Sequence, residues 1–183
     1  MVMSIKEKII DIVGKENFSD DLEILDKYSQ DYSLEPKGMP TYVVKPSNSQ
    51  EVSEIVKLAN KYKLPVVPCS SHVHFHGNTI PRQGGIIVDL TRLNKILEVD
   101  ENNRRVRVEV GVTWSEVETK LKEYDLRVIT PLLPHPDRSV VTDYLEGEYP
   151  IIPMYEYGDP IESVEVVWPN GDVFRTGSAS APG

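Results

Sequence analysis

Cysteine occurs once in this chain, at Cys69. A lone cysteine closes no internal disulfide, which points to a reducing compartment and a fold held by its own core. Positive charge is also short: 20 Lys and Arg face 29 Asp and Glu, for a net charge of −9. With no basic patch to displace phosphate counterions, nucleic acid is not expected as a partner. Any bound phosphate group has to be held locally, by backbone N–H groups and a few cations, against the overall field. Long apolar runs are missing. The opening MVMSIKEKII has no apolar core of signal-peptide length, and no stretch approaches membrane-spanning length. The expectation is a soluble, cytoplasmic protein with no membrane insertion. Repeats and low-complexity tracts are absent as well, and 183 residues suit one domain of two small lobes.

What is present reads as an α+β chain. SIKE at Ser4 to Glu7 is a capping box opening a helix along Ile5, Ile9, Ile10 and Val13, with Gly14 as its stop. A short helix is expected near Asp21 to Lys27. TYVVKP at Thr41 to Pro46 reads as a strand. The following SNSQEVSEIVKLANKYK reads as an amphipathic helix capped by Ser47 or Ser49, with Val52, Ile55, Val56, Ala59 and Tyr62 on one face. LPVVP at Leu64 to Pro68 is the next strand, so this stretch forms a βαβ unit with a parallel pair. IIVDL is a buried-strand candidate. ILEVD and RVRVEVGV form a hairpin, Thr113 with Glu116 caps another helix, and SVEVVWPNGDVFRTG is a second hairpin around Asn170-Gly171. Leu126 to Asp159 reads as proline-rich and irregular.

The chain has four histidines, and His72, His74 and His76 alternate within the single loop PCSSHVHFHGNTIP. In an extended segment these three rings point one way, with Val73 and Phe75 opposite. That is one arrangement for a three-histidine metal site, but no carboxylate follows to complete it, and no metal is expected. A solvated surface loop is the plain alternative. The third reading rests on Ser70, Ser71, Gly77, Asn78 and Thr79. These let the backbone turn tightly, so that successive N–H groups can face an anion directly after a strand of the βαβ unit.

The order of elements resembles the FAD-binding domain of the vanillyl-alcohol oxidase and p-cresol methylhydroxylase superfamily, nearest its glycolate oxidase and D-lactate dehydrogenase branch. The resemblance spans roughly Asp20 to Gly177. It is carried by TYVVKPSNSQEVSEIVKLANKYKLPVVP, by GGIIVDLTRLNKILEVD with VEVGVTWSEVE, and by EVVWPNGDVFRTG. Two departures stand out. The loop has one glycine where the family is glycine-rich, and RSVVTDYLEGEYPIIPMYEYGDP lacks the family's paired small glycines, with Ser139, Thr142 and Gly147 as substitutes.

The resemblance implies a two-lobed, p-cresol methylhydroxylase-type domain that binds FAD. It has a small βαβ lobe over residues 20–80, a larger lobe of mixed and antiparallel strands with helices over 81–177, and a flexible tail over 178–183. It implies pyrophosphate contacts along Pro68, Cys69, Ser70, Ser71, His72, Val73, His74, Phe75, His76, Gly77, Asn78 and Thr79. Pro134, Ser139, Val140, Thr142, Tyr144 and Leu145 would line the isoalloxazine and ribityl side, and the backbone at Ile161 and Glu162 would meet the adenine. No convincing catalytic set appears. His135 and Arg138 are candidates at the flavin's reactive edge, although a solvated loop suits both better. The family's substrate-covering domain does not appear either. The expectation is therefore the FAD subunit of an oxidoreductase acting on a 2-hydroxy acid or related small molecule, incomplete alone and completed by a second subunit or by self-association. The competing readings are a degenerate module that keeps the fold without flavin and a metal-binding protein. Gly77→Val is expected to weaken cofactor binding more than His74→Ala.

Overall fold

The computed structural model describes residues 3–131, 134–146 and 160–177. Helix α1, Ile5–Val13, begins at the Ser4–Glu7 capping box and ends where Gly14 takes φ +83° and returns its N–H to the Ile10 carbonyl. Strand β1, Phe18–Ser19, is followed by α2, Leu22–Lys27. The Asp21 carboxylate caps α2 by accepting from the Glu23 and Ile24 amides. Strand β2, Tyr42–Val44, leads into α3, Ser49–Tyr62. The cap of α3 is Asn48 rather than either flanking serine. Its carboxamide oxygen accepts from the Glu51 amide, while Ser47 gives its own N–H and hydroxyl to the Glu51 carboxylate. Asn is at least as good a cap as Ser, and here it occupies the extended position that the geometry requires.

Strands β3, Val66–Cys69, and β4, Ile86–Asp89, complete a sheet in the order β1-β2-β4-β3. β1 runs antiparallel to β2, and both β2 and β3 run parallel to β4. The expected βαβ unit forms, but β2 and β3 are not neighbours, because β4 lies between them. A central strand flanked on both edges and covered on both faces should be largely apolar, and Ile86, Ile87 and Val88 are, while all four residues of β4, Asp89 included, are buried. Alternation sorts its side chains. Ile86 and Val88 join Val44, Ile9, Val13, Ile55 and Ala59 under α1 and α3, while Ile87 joins Val43, Leu25, Tyr28 and Cys69 on the opposite face. This sheet thus takes one strand, β4, from beyond residue 80.

β5, Ile96–Asp100, and β6, Arg105–Val108, pair as an antiparallel hairpin with an irregularity between Ile96 and Glu98. Helix α4, Trp114–Lys122, opens at the Thr113–Glu116 capping box. α5, Val140–Leu145, lies inside the segment expected to be irregular. Its cap is Ser139, and Val140 is drawn into the second core with Val112, Trp114, Val117 and Leu121. Burial of that one apolar residue against α4 fixes a short helix that no long periodic run announces. β7, Glu165–Val167, and β8, Val173–Arg175, form the last hairpin. It docks on α3, where the Ser53 hydroxyl donates to the Gly171 carbonyl at 2.5 Å and Asn60 donates to the Pro169 carbonyl. Among the described residues no helix is long and apolar enough to cross a membrane.

Candidate functional site

The histidine loop leaves β3 at Pro68 and Cys69 and doubles back on itself. The three rings diverge instead of facing one way, because the backbone turns and is not extended. His74 is buried at 4% exposure, and its Nε2 lies 2.8 Å from the Ser71 carbonyl. A carbonyl only accepts, so Nε2 carries the proton and Nδ1 does not. The same carbonyl accepts from the Cys69 thiol. His72 is exposed and meets the Tyr28 ring edge-on at 5.8 Å. His76 is half-exposed, with Nε2 3.8 Å from Glu146 Oε2. Among the described residues no three His, Cys, Asp or Glu side chains gather where one metal ion could be held.

The main chain of the loop has a definite polarity. Its carbonyls are used: Ser71 O by the thiol and imidazole, Val73 O by the Ser71 hydroxyl, and His74 O by the Tyr32 amide. The N–H groups from Ser70 to Phe75 donate to no partner among the described residues. Four of these six residues, Ser70, Ser71, Val73 and His74, are buried. A consecutive row of N–H groups without a protein partner is open to an acceptor. Successive N–H groups on a tight turn suit the oxygens of a pyrophosphate. The residues present therefore fit FAD at its diphosphate.

Two segments brace the loop. From one side, the Asp31 carboxylate accepts the Gly77 N–H at 2.8 Å and the Ser33 N–H at 2.8 Å. Burial pushes the Asp31 carboxyl up, but the bonds from Ser33 and Gly77 outweigh it and hold the group below the usual carboxylate range. A cleft of about 720 Å³ opens beside this brace, with His72, Tyr28, Asp31 and Lys45 among its walls. Behind Tyr28, the wholly buried Asp89 accepts from the Tyr28 hydroxyl at 2.6 Å and from the Thr91 amide, which keeps its carboxyl low despite burial.

From the other side comes α5. Thr142 Oγ1 and Ser70 Oγ are 2.5 Å apart, although 72 positions separate them in sequence. Ser139 is engaged by the protein itself, accepting from the Thr142 amide and donating to the Val110 carbonyl at 2.5 Å. Tyr144 donates its hydroxyl to the Ile129 carbonyl and packs edge-on against Trp114. Burial, followed by the nearby Asp143, pushes its phenol up to about 12. Val140 is core, Leu145 is 64% exposed, and Pro134 is half-buried. Glu162 pairs with Arg105 at 2.8 Å, and Ile161 precedes it on the approach to β7. Asn78 is exposed and Thr79 half-buried. Gly147 lies outside the described residues.

Arg138 differs most from expectation. It is not in a solvated loop: it is 4% exposed and ion-paired to Asp143 at 2.5 Å and to Glu146, with its guanidinium 5.2 Å from the centre of the Phe75 ring. Trp114 Nε1 donates to the other Asp143 oxygen at 2.6 Å. His135, three residues earlier, is exposed as expected. Sequence reasoning also missed Asp31, Glu146, Asp143 and Tyr28. Each acts across a long stretch of chain, and none sits in a periodic or motif-bearing position.

The burial of His74 has a measurable consequence. Burial disfavours its charged form and lowers its pKa from the ordinary value. Below about pH 6.5 the unfolded chain takes up a proton that the folded chain refuses. The stability contributed by neutral His74 is therefore present above that pH and lost as pH falls beneath it, by at most about 1.4 kcal/mol per pH unit. The carboxylates Asp31 and Asp89, held low in the fold, act in the same direction only further down, below about pH 4. Urea midpoints measured from pH 8 to 4.5 should begin to drop near pH 6.5, and that first drop should vanish in His74→Gln. An identical profile in the variant would show that the ring titrates freely in the fold.

Comparison with known proteins agrees with this geometry. Residues 40–145 match the model of a family described as FAD binding domain. The chain is 30% identical over 181 residues to the glycolate oxidase subunit GlcD of Bacillus subtilis (strain 168), a match covering 97% of this chain and 38% of that protein. It is 34% identical over 147 residues to a mitochondrial D-lactate dehydrogenase [cytochrome] of Arabidopsis thaliana, covering 77% of this chain and 25% of the relative. Among solved structures, p-cresol methylhydroxylase with substrate bound superposes with a TM-score of 0.84 at 26% identity, over 98% of this chain and 36% of that one. The chain thus spans well under half the length of each of these proteins.

Proposed function

This chain belongs to the FAD binding domain family, and from that premise we propose that it is the FAD-holding component of a flavin-dependent oxidoreductase acting on a 2-hydroxy acid or a related small molecule. The observation that carries the reading is the row of open N–H groups from Ser70 to Phe75, with Thr142 brought against Ser70 at its start. These amides and the two hydroxyls would hold the diphosphate of FAD. The α5 side, from Pro134 to Leu145, would flank the ribityl chain and ring, with the backbone at Ile161 and Glu162 on the adenine side. When bound, the flavin supplies hydride acceptance. The protein's own contribution is to bind and orient the cofactor, and the negative field of the chain makes that local array of donors necessary.

The substrate names attached to GlcD and the D-lactate dehydrogenase support the substrate class. In this reading the groups that position substrate and remove its hydroxyl proton lie outside the described residues, on further polypeptide or a partner subunit. An exposed aromatic pair beside the site, Tyr32 at 70% and Phe75 at 41% exposure with ring centroids 5.8 Å apart, is consistent with such a cover. A reducing, cytoplasmic setting suits the single buried Cys69, whose thiol burial, followed by Asp89, pushes up to about 12.

Calorimetric titration with FAD and FMN tests the proposal. FAD should bind more tightly, because FMN lacks the diphosphate that the loop addresses, and the bound complex should show flavin absorption without reducing dye when lactate or glycolate is added. Equal or tighter binding of FMN would remove the assignment. Dye reduction at enzyme-like rates would show that the chain already holds its substrate groups.

A further inference from the structure

We propose that Arg138 is a positioning residue that couples the two halves of the FAD site. The inference rests on the cofactor reading above and goes beyond it by naming what holds the halves in register. Arg138 touches α5, the residue just past it and the histidine loop at once. Its guanidinium forks between Asp143 on α5 and Glu146 just past the helix, and its face lies over Phe75 of the histidine loop. Glu146 reaches on to His76 of the same loop at 3.8 Å. Trp114, rooted in the second core, fixes the far oxygen of Asp143. The loop that addresses the diphosphate and the helix that flanks the ribityl chain and ring are thereby tied through one buried cation. The Ser70–Thr142 contact lies within this span.

A buried ion cluster contributes little net stability compared with apolar packing; in some proteins its role is to fix geometry, and that role is the one assigned here. A planar guanidinium presents a fork that matches two carboxylates, and a lysine ammonium does not. Arg138→Lys keeps the charge and should lose the register. FAD spans both halves of the site, whereas ADP lacks the ribityl chain and ring and so does not reach the α5 half. Titrations of the whole chain with FAD and with ADP therefore separate positioning from general loosening. In Arg138→Lys, FAD should bind about tenfold more weakly, the scale of a typical coupling between two sites. ADP affinity should stay within about twofold, as for an independent site. Glu146→Gln removes one arm without stranding the cation, and it should show the same FAD-selective loss to a smaller degree, which covers the case in which Arg138→Lys folds poorly. A matched fall in both affinities would mean that Arg138 only stabilises the fold and would overturn the proposal, as would no fall in either. If the wild-type chain binds neither ligand, the cofactor reading itself fails and the coupling fails with it. If the wild type binds both and the variants keep the FAD-to-ADP ratio, only the coupling fails.

Discussion

Gly77→Val should weaken FAD binding by about 30-fold or more, equivalent to ~2 kcal/mol. Gly77 sits at φ +72°, where a β-branched residue is an outlier. A Cβ there would lie 2.6 Å from Cγ of Glu35. That crowding is cheap to relieve, because Glu35 is a flexible side chain paired with Arg82 at the surface. The backbone is what decides. Holding valine in the left-handed region costs about 1–3 kcal/mol. The loop escapes that cost only by rotating the Gly77 N–H away from Asp31, which releases the brace that aims the N–H row. His76→Ala is the informative control. It removes a half-exposed ring whose pairing to Glu146 is worth under about 1 kcal/mol. His74 serves less well as a comparison than its sequence suggests, since it faces inward and holds the Ser71 carbonyl. If His76→Ala costs as much affinity as Gly77→Val, backbone donors do not dominate the site, and imidazole contacts do.

Trp114→Ala should be the most damaging single truncation to stability. Trp114 is 1% exposed at the start of α4, packs edge-on against Tyr144, and gives its indole N–H to Asp143. Truncating a buried tryptophan costs about 3–5 kcal/mol, and the loss of a donor to a charged acceptor lies on top of the cavity. For a chain of this size that corresponds to a melting temperature lower by about 10 °C or more. Trp114→Phe keeps most of the volume and should lose only about 1.5–3 kcal/mol, the share of the N–H donated to a carboxylate. Thermal unfolding of the two variants beside the wild type measures both parts. Equal losses would place the whole effect in the Asp143 bond, and no loss in Trp114→Phe would place it in packing.

Much of the scaffold was readable from local chemistry. Capping boxes at Ser4 and Thr113 marked two helix starts, because their signals lie within three residues of each other. Alternation marked the strands for the same reason, and the Asn170-Gly171 turn marked the last hairpin. Order and spacing of these elements were enough for the family. What stayed hidden was whatever depends on contacts distant in sequence. Nothing near Asp31 says that it will receive the Gly77 amide 46 residues on. Nothing near Arg138 says that Phe75 and two carboxylates will enclose it. α5 was missed because six residues carry too short a period to read, and its stability comes from Val140 entering a core built elsewhere. The histidines misled through their spacing, since alternation implies a shared direction only where the backbone is extended.

The strand order bears on how such a chain comes together as it is made. β2 and β3 hydrogen-bond to β4 and not to each other, and β4, the strand between them, is the last of the three to leave the ribosome. Until Ile86–Asp89 emerges, one edge of β2 and one of β3 stand open, although α1 and α3 on one face and α2 on the other are already made. Because residue separation sets how long a chain must search before such pairings form, the nascent protein should pass through an interval in which the loop between β3 and β4, with its row of open N–H groups, is already synthesised but not yet shaped. Insertion of β4 between β2 and β3 then closes the sheet.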